Sequence, residues 1–163
     1  MTLYGLMIKF ATFSLRKGAI KMSDDSVFYT LKGYQMNDGA QITSSMEDYL
    51  EMICRLAKTQ EVVRINELSD RLHVRPSSAS KMVNNLKNSG LVSFEKYGYI
   101  KPTAKGLAVG EYLLYRHNVL SEFLCLINHS ENETEQVEKI EHFLDKKTVD
   151  NIKRCVAVLK KHM

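Results

Sequence analysis

Glu138, Glu141 and His142 follow one another at offsets of three and four, the spacing that puts side chains on one face of a helix. Asp48 and Glu51, three apart, share a face in the same way much earlier in the chain, and His117 stands midway along a third stretch, Tyr115-Arg116-His117. The set holds four carboxylates and two imidazoles and no thiolate. Brought together from separate helices, such groups would repel or go unpaired unless a cation lay between them, and a divalent metal answers that need. Hard, oxygen-rich donors suit manganese or ferrous iron better than copper or structural zinc. Taken singly, each residue has an ordinary reading, a solvated Glu or a lone surface or core His. Only the combination points to a metal.

A second chemistry lies between the first pair and His117. Arg75, Ser77, Ser78, Ser80, Lys81, Asn84, Asn85 and Lys87 make up the polar face of one helical stretch that contains no acid. All can donate hydrogen bonds. Ser77 and Ser78 fall in the first turn, where free backbone N–H groups favour a phosphate. Asn84 and Asn85 suit base or phosphate contacts, and Lys81 and Lys87 suit phosphates. Lys96 and Tyr97, beside Gly98, would reach a neighbouring phosphate.

Apolar spacing places these residues on elements. Met46, Tyr49, Leu50, Ile53, Leu56 and Ala57 predict a helix over about 45–59, with Ser44 or Ser45 capping its N-terminus and Glu47 and Asp48 suiting the positive end of its dipole. Ile65, Leu68, Leu72 and Val74 give a shorter helical pattern. Pro76 opens the next helix, whose inner positions are Ala79, Met82, Val83 and Leu86, and Gly90 ends it. Leu91 to Tyr97 and Tyr99 to Lys101 read as two short strands around Gly98. Thr103 can cap a long helix to about Asn128, and two more follow over roughly 133–144 and 148–161, in a stretch from Glu111 to Met163 free of Gly and Pro. Helix, short helix, turn, helix and glycine-tipped ribbon is the order of a winged helix-turn-helix, whose second paired helix enters the major groove of DNA. The expected fold is mainly α with a small β wing: an N-terminal extension over 1–44, a winged helix-turn-helix DNA-binding domain over 45–103, and a helical metal-binding domain over 104–163. Val27 to Leu31 could form a short strand in the extension.

The chain has 163 residues and a formal net charge of +4, which hides an uneven distribution. From Arg55 to Lys105 ten basic residues face four acidic ones, whereas from Gly106 to Asp145 two basic residues face eight acidic ones. One surface suits a polyanion and the other suits cations. No run of about 18 apolar residues occurs, so no membrane span is expected. Residues 1–21 make a poor signal peptide. Cys54, Cys125 and Cys155 are far apart and form no CxxC, which argues against a disulfide framework and a zinc ribbon and for a reducing, cytoplasmic setting. Glu138-Lys-Ile-Glu141-His142 approaches the H-x-x-E-H of metallohydrolases but begins with Glu. No G-x-S-x-G is present, so an enzyme is not expected.

Ser45-Met-Glu-Asp-Tyr-Leu-Glu51, Val74-Arg-Pro-Ser-Ser-Ala-Ser-Lys-Met-Val83, Thr103-Ala-Lys-Gly106, Tyr115-Arg-His117 and Val137-Glu-Lys-Ile-Glu-His142 stand in order and at family spacing over about residues 45–160. Together they resemble the diphtheria toxin repressor family of metal-responsive regulators. Within it the chain resembles the manganese-responsive branch. Position 48 is Asp, where iron-responsive relatives typically carry Met, and position 138 is Glu, where they typically carry Cys. The chain also stops at Met163, leaving no room for the C-terminal SH3-like domain of those relatives. The resemblance implies that Asp48, Glu51, His117, Glu138, Glu141 and His142 hold two manganese ions per subunit, and that the chain is a homodimer joined through residues 104–163. Its implied role is repression of manganese-uptake genes at a palindromic operator. The alternatives are an iron-responsive regulator using Fe2+, and a metal-independent winged-helix regulator whose acidic face binds a protein partner.

Overall fold

A computed structural model describes residues 42–94 and 99–162, which belong to one compact unit. The first helix, α1 (Ser44–Ala57), forms because Met46, Leu50, Ile53, Cys54 and Leu56 recur at helical spacing and are buried. Its cap is Thr43, not Ser44 or Ser45: Thr43 Oγ1 accepts from the Met46 amide at 3.3 Å, and both serines are already helical. After β1 (Val63–Arg64) come α2 (Ile65–Arg71) and α3 (Pro76–Asn88), joined by a turn in which His73 takes φ 52°. Gly90, at φ 71°, turns the chain out of α3 into β2 (Val92–Phe94), which pairs antiparallel with β3 (Tyr99–Pro102).

The expected two-stranded ribbon is a three-stranded sheet in the order β1-β3-β2, with Val63 opposite Ile100 and Arg64 opposite Tyr99. The ribbon tip, with Lys96 and Tyr97, lies outside the described residues, as does the strand expected at Val27 to Leu31.

Thr103 caps α4 (Ala104–Asn128) by accepting from the Gly106 amide at 3.0 Å, and its hydroxyl donates to the Gly90 carbonyl at 2.7 Å. One side chain thereby anchors the long helix to the end of the ribbon unit. The helix expected over 133–144 is shorter than its pattern: α5 (Thr134–Ile140) tightens into a 3-10 turn at Glu141–Phe143 before α6 (Lys146–His162).

α4 packs on α1 on one side and α6 on the other. Two glycines let α4 approach its neighbours closely, Gly110 against α1 and Gly106 against the chain just before β2. A Cβ on Gly110 would fall 2.2 Å from Cys54 Sγ, and one on Gly106 would fall 1.8 Å from the Leu91 carbonyl oxygen. Leu50, Ile53, Leu68, Leu86, Leu91, Ile100 and Leu113 fill the core between these elements. All three cysteines are free, and burial raises the Cys54 thiol to about 11, so it packs as a small hydrophobe. Among the described residues no helix is long and apolar enough to cross a membrane.

Candidate functional site

Because α1 lies tight against α4, its acidic first turns face the middle of that helix and the α5 end of the chain. Asp48 and Glu51 come from α1, His117 from α4, Glu138 from α5, and Glu141 and His142 from the 3-10 turn. All six candidate ligands gather at one place. Five of them line a cleft of about 230 Å³, and His142 adjoins it against Asp48. Glu51, His117 and Glu141 are buried, Asp48 and His142 are half-buried, and Glu138 is exposed at the rim.

Two groups of donor atoms form there. Asp48, Glu141 and His142 each offer an atom within 4.8 Å of the others, and so do Glu51, His117 and Glu141, leaving Glu141 common to both. Glu138 Oε1 flanks the second group, 3.7 Å from His117 Nδ1. Among the described residues, buried Asp48 Oδ1, His117 Nδ1 and Glu141 Oε2 have no hydrogen-bond partner, and neither does Arg116 Nε. Yet Asp48 Oδ1 is 2.9 Å from His142 Nε2, and Glu141 Oε2 is 3.4 Å from His117 Nδ1. These atoms face one another without an aligned hydrogen between them. Leaving buried polar atoms unpaired costs about 1–3 kcal/mol each. A hard octahedral cation with bonds of about 2.1 Å has neighbouring ligands about 3 Å apart, so the observed spacings fit ligands that share a divalent ion.

The charge states say the same. The Asp48 and Glu47 carboxylates beside it raise His142 to about 10, against the opposing effect of burial. The Glu141 carboxylate raises His117 in the same way, again opposed by burial. Burial and the nearby Glu141 charge raise Glu138. The cluster is short of positive charge, and protons on the imidazoles partly supply it. Arg55 supplies more, donating from Nε and Nη2 to Glu51 Oε1 at 3.0 and 2.6 Å.

Two members of the site were not evident beforehand. Glu47 Oε2 lies 2.8 Å from His142 Nδ1 and accepts from Arg116 Nη2, also at 2.8 Å. Burial pushes the Glu47 carboxyl up, but the hydrogen bonds from His142 and Arg116 outweigh it and leave it below its usual value. In sequence these two residues are merely the neighbours of Asp48 and His117. Glu47 had an ordinary use as an acid in a first turn.

The polar face of α3 lies apart from this cleft. Arg75, Ser77, Ser78, Lys81, Asn84, Asn85 and Lys87 are exposed and Ser80 is half-buried, while Ala79, Val83 and Leu86 fix the opposite side in the core. The Asn84 amide donates to the Ser80 carbonyl at 2.9 Å, and Lys87 Nζ donates to the Phe94 carbonyl at 3.2 Å, tying α3 to β2. Arg64, stacked 5.4 Å from the centre of the Tyr99 ring, adds an exposed cation on the sheet that the periodicity had not revealed.

Comparison with known proteins matches residues 41–100 to the iron dependent repressor N-terminal DNA binding domain, and residues 103–162 to the iron dependent repressor metal binding and dimerisation domain. The chain is 40% identical over 111 residues to the HTH-type transcriptional regulator MntR of Oceanobacillus iheyensis, covering 68% of this chain and 76% of that one. It is 39% identical over 121 residues to the MntR of Listeria welshimeri, covering 74% and 85%. Among solved structures it resembles the manganese regulator SloR at a TM-score of 0.63 and 24% identity, covering 71% of this chain and 55% of that one. A manganese-dependent transcriptional repressor in complex with manganese aligns at a TM-score of 0.60 and 25% identity, covering 69% and 52%. The chain thus spans about half the length of these structural neighbours.

Proposed function

The chain belongs to the iron-dependent, or diphtheria toxin, repressor family, and from that premise we propose that it is a manganese-responsive transcriptional repressor. The observation that carries the metal half of this reading is the convergence of six hard donors from three chain segments with buried donor atoms left unpartnered. Asp48, Glu51, His117, Glu138, Glu141 and His142 would hold two ions, Glu141 being common to both groups of donors. Manganese is favoured over iron because Asp48 and Glu138 stand where iron-responsive relatives typically carry Met and Cys, and the MntR regulators at about 40% identity point the same way. A bound divalent ion supplies the positive charge that the imidazole protons and Arg55 supply in its absence. An acidic face for a protein partner is disfavoured, since Glu51, His117 and Glu141 are buried in the cleft.

The ligands join α1, which packs with α3 and the sheet, to α4 and the α5 end. Occupation therefore fixes how the DNA-reading unit (45–103) sits on the unit proposed to form the homodimer (104–163). Two reading helices must lie about 34–36 Å apart to enter successive major grooves. Ligands that select that spacing raise operator affinity by population shift. Arg75, Ser77, Ser78, Ser80, Lys81, Asn84, Asn85 and Lys87, with Lys96 and Tyr97 of the ribbon, make the DNA contacts. Repression of manganese-uptake genes in the cytoplasm completes the role.

Elemental analysis after equilibration with Mn2+ and with Fe2+, followed by gel filtration, tests the site. The expected result is two manganese ions per subunit, retained over iron and reduced by Glu141→Ala. Loading equal to that of Glu141→Ala would refute it.

A further inference from the structure

A metal-bound imidazole has a second nitrogen, and the partner of that nitrogen decides which tautomer is presented to the ion. His142 has both nitrogens engaged. Nε2 faces Asp48 Oδ1 at 2.9 Å, and Nδ1 lies 2.8 Å from Glu47 Oε2. Arg116 Nη2 is also close to Nδ1, at 3.3 Å. Guanidinium can only donate and an ionised carboxylate can only accept, so the two neighbours ask for opposite tautomers. An Nδ1 lone pair accepting from Arg116 would meet the Glu47 oxygen lone pair to lone pair at 2.8 Å. A proton on Nδ1 satisfies the shorter contact and leaves Arg116 to its own bond with the same Glu47 oxygen.

The support behind Glu47 is buried. The Arg116 side chain is 4% exposed, its guanidinium lies 6.0 Å from the centre of the Tyr112 ring, and it spans from α4 to α1. Glu47 is therefore held ionised and in place by a buried partner outside the six candidate ligands.

We propose that Glu47 is a positioning residue of the metal centre: steadied by Arg116, it keeps the Nδ1 proton of His142, so that Nε2, which faces Asp48 and Glu141, is the nitrogen that gives up its proton to bind a metal. This inference rests on the metal reading above and assigns a role to two residues that reading leaves unused. Neither residue is one of the six candidate ligands.

The test uses the full chain. Side-chain 15N–1H correlation on protein loaded with Cd2+, a diamagnetic probe, should show His142 with a proton on Nδ1 and none on Nε2. Titration calorimetry with Mn2+ then compares the parent with Glu47→Gln and with Glu47→Met/Arg116→Met, which removes both members of the Glu47–Arg116 ion pair together. Loss of such outer hydrogen-bond partners typically weakens metal binding about 10–100-fold. That loss is expected for the double variant. Glu47→Gln, which keeps an oxygen acceptor, should stay within about tenfold of the parent. A purely structural ion pair would lower the unfolding midpoint of both variants and leave the folded proteins' Mn2+ affinity at the parent value, and that outcome overturns the proposal. So does a parent spectrum lacking the Nδ1 proton, a result available even if the double variant fails to fold. A parent that takes up neither Mn2+ nor Cd2+ refutes the metal reading itself and this role with it. A parent that loads normally while the double variant loads equally well refutes only the role of Glu47.

Discussion

Metal uptake should expel protons, and His142 sets the size of the effect. In the metal-free chain its imidazole is raised to about 10, chiefly by the Asp48 carboxylate and then by Glu47, against burial. At about pH 7 only about one such imidazole in a thousand is neutral. Because a ligating histidine must give up its Nε2 proton, apparent Mn2+ affinity should rise about tenfold for each pH unit, or about thirtyfold from about pH 6.5 to about pH 8. His117, raised by the Glu141 carboxylate, adds to the slope at the acid end. Stability moves the other way in the metal-free protein. The folded-state pKa of His142 lies above its unfolded value, so its contribution is complete below about pH 6.5 and is lost as pH rises through about 10. The gap in melting temperature between loaded and metal-free protein should therefore widen with pH. Titration calorimetry with Mn2+ at about pH 7 in two buffers of different ionisation heat counts the protons, and at least one per bound subunit is expected. Heats that do not depend on buffer, together with an affinity flat in pH, would refute the charge assignment at His142.

The close approach of α1 to α4 gives a second expectation. Gly110→Ala places a methyl 2.2 Å from Cys54 Sγ, so thermal unfolding should show a loss of about 1–3 kcal/mol, and calorimetry weaker Mn2+ binding as Asp48 and Glu51 move away. Leu50→Ala, at a fully buried position in α1, should cost about 2–5 kcal/mol in a denaturant titration. Lys81→Ala on the exposed face of α3 should weaken DNA binding almost equally across sequences and reduce the salt slope of log affinity by about one. Asp48→Met introduces a thioether among the oxygen donors and should shift preference from Mn2+ toward softer ions in competition titrations; undiminished manganese preference would show that selectivity does not reside at position 48.

What could be read from the sequence was whatever a single helix face or a local turn expresses. The inner residues of α1 and α3, Pro76 at a helix start, the turn at Gly90 and the Thr103 cap are all local, and each stands where spacing placed it. β1 escaped because two residues have no periodicity of their own; Val63 and Arg64 become a strand only by pairing with Ile100 and Tyr99. The cap of α1 moved to Thr43 because three hydroxyls in a row leave the choice to backbone geometry. The six candidate ligands were legible as a helical pair, a helical trio and a lone histidine, and the fold gathers them at one cleft. Glu47 and Arg116 were not legible, since a charged residue in a helix looks solvated until a partner on another helix buries it. The break of α5 at Glu141 belongs to the same class: the 3-10 turn buries Glu141 while Glu138 stays at the rim.

The central claim is that metal at the α1–α4–α5 cleft controls DNA binding by the α3 face, although Lys81 and Asp48 share no contact. Mobility shift of the purified chain on a palindromic operator fragment, run with Mn2+ and with a chelator at fixed ionic strength, tests it most directly. Mn2+ should retard the fragment, the chelator should abolish the shift, and Asp48→Ala should lack it. Tight binding to the operator that is unchanged by the chelator would contradict it.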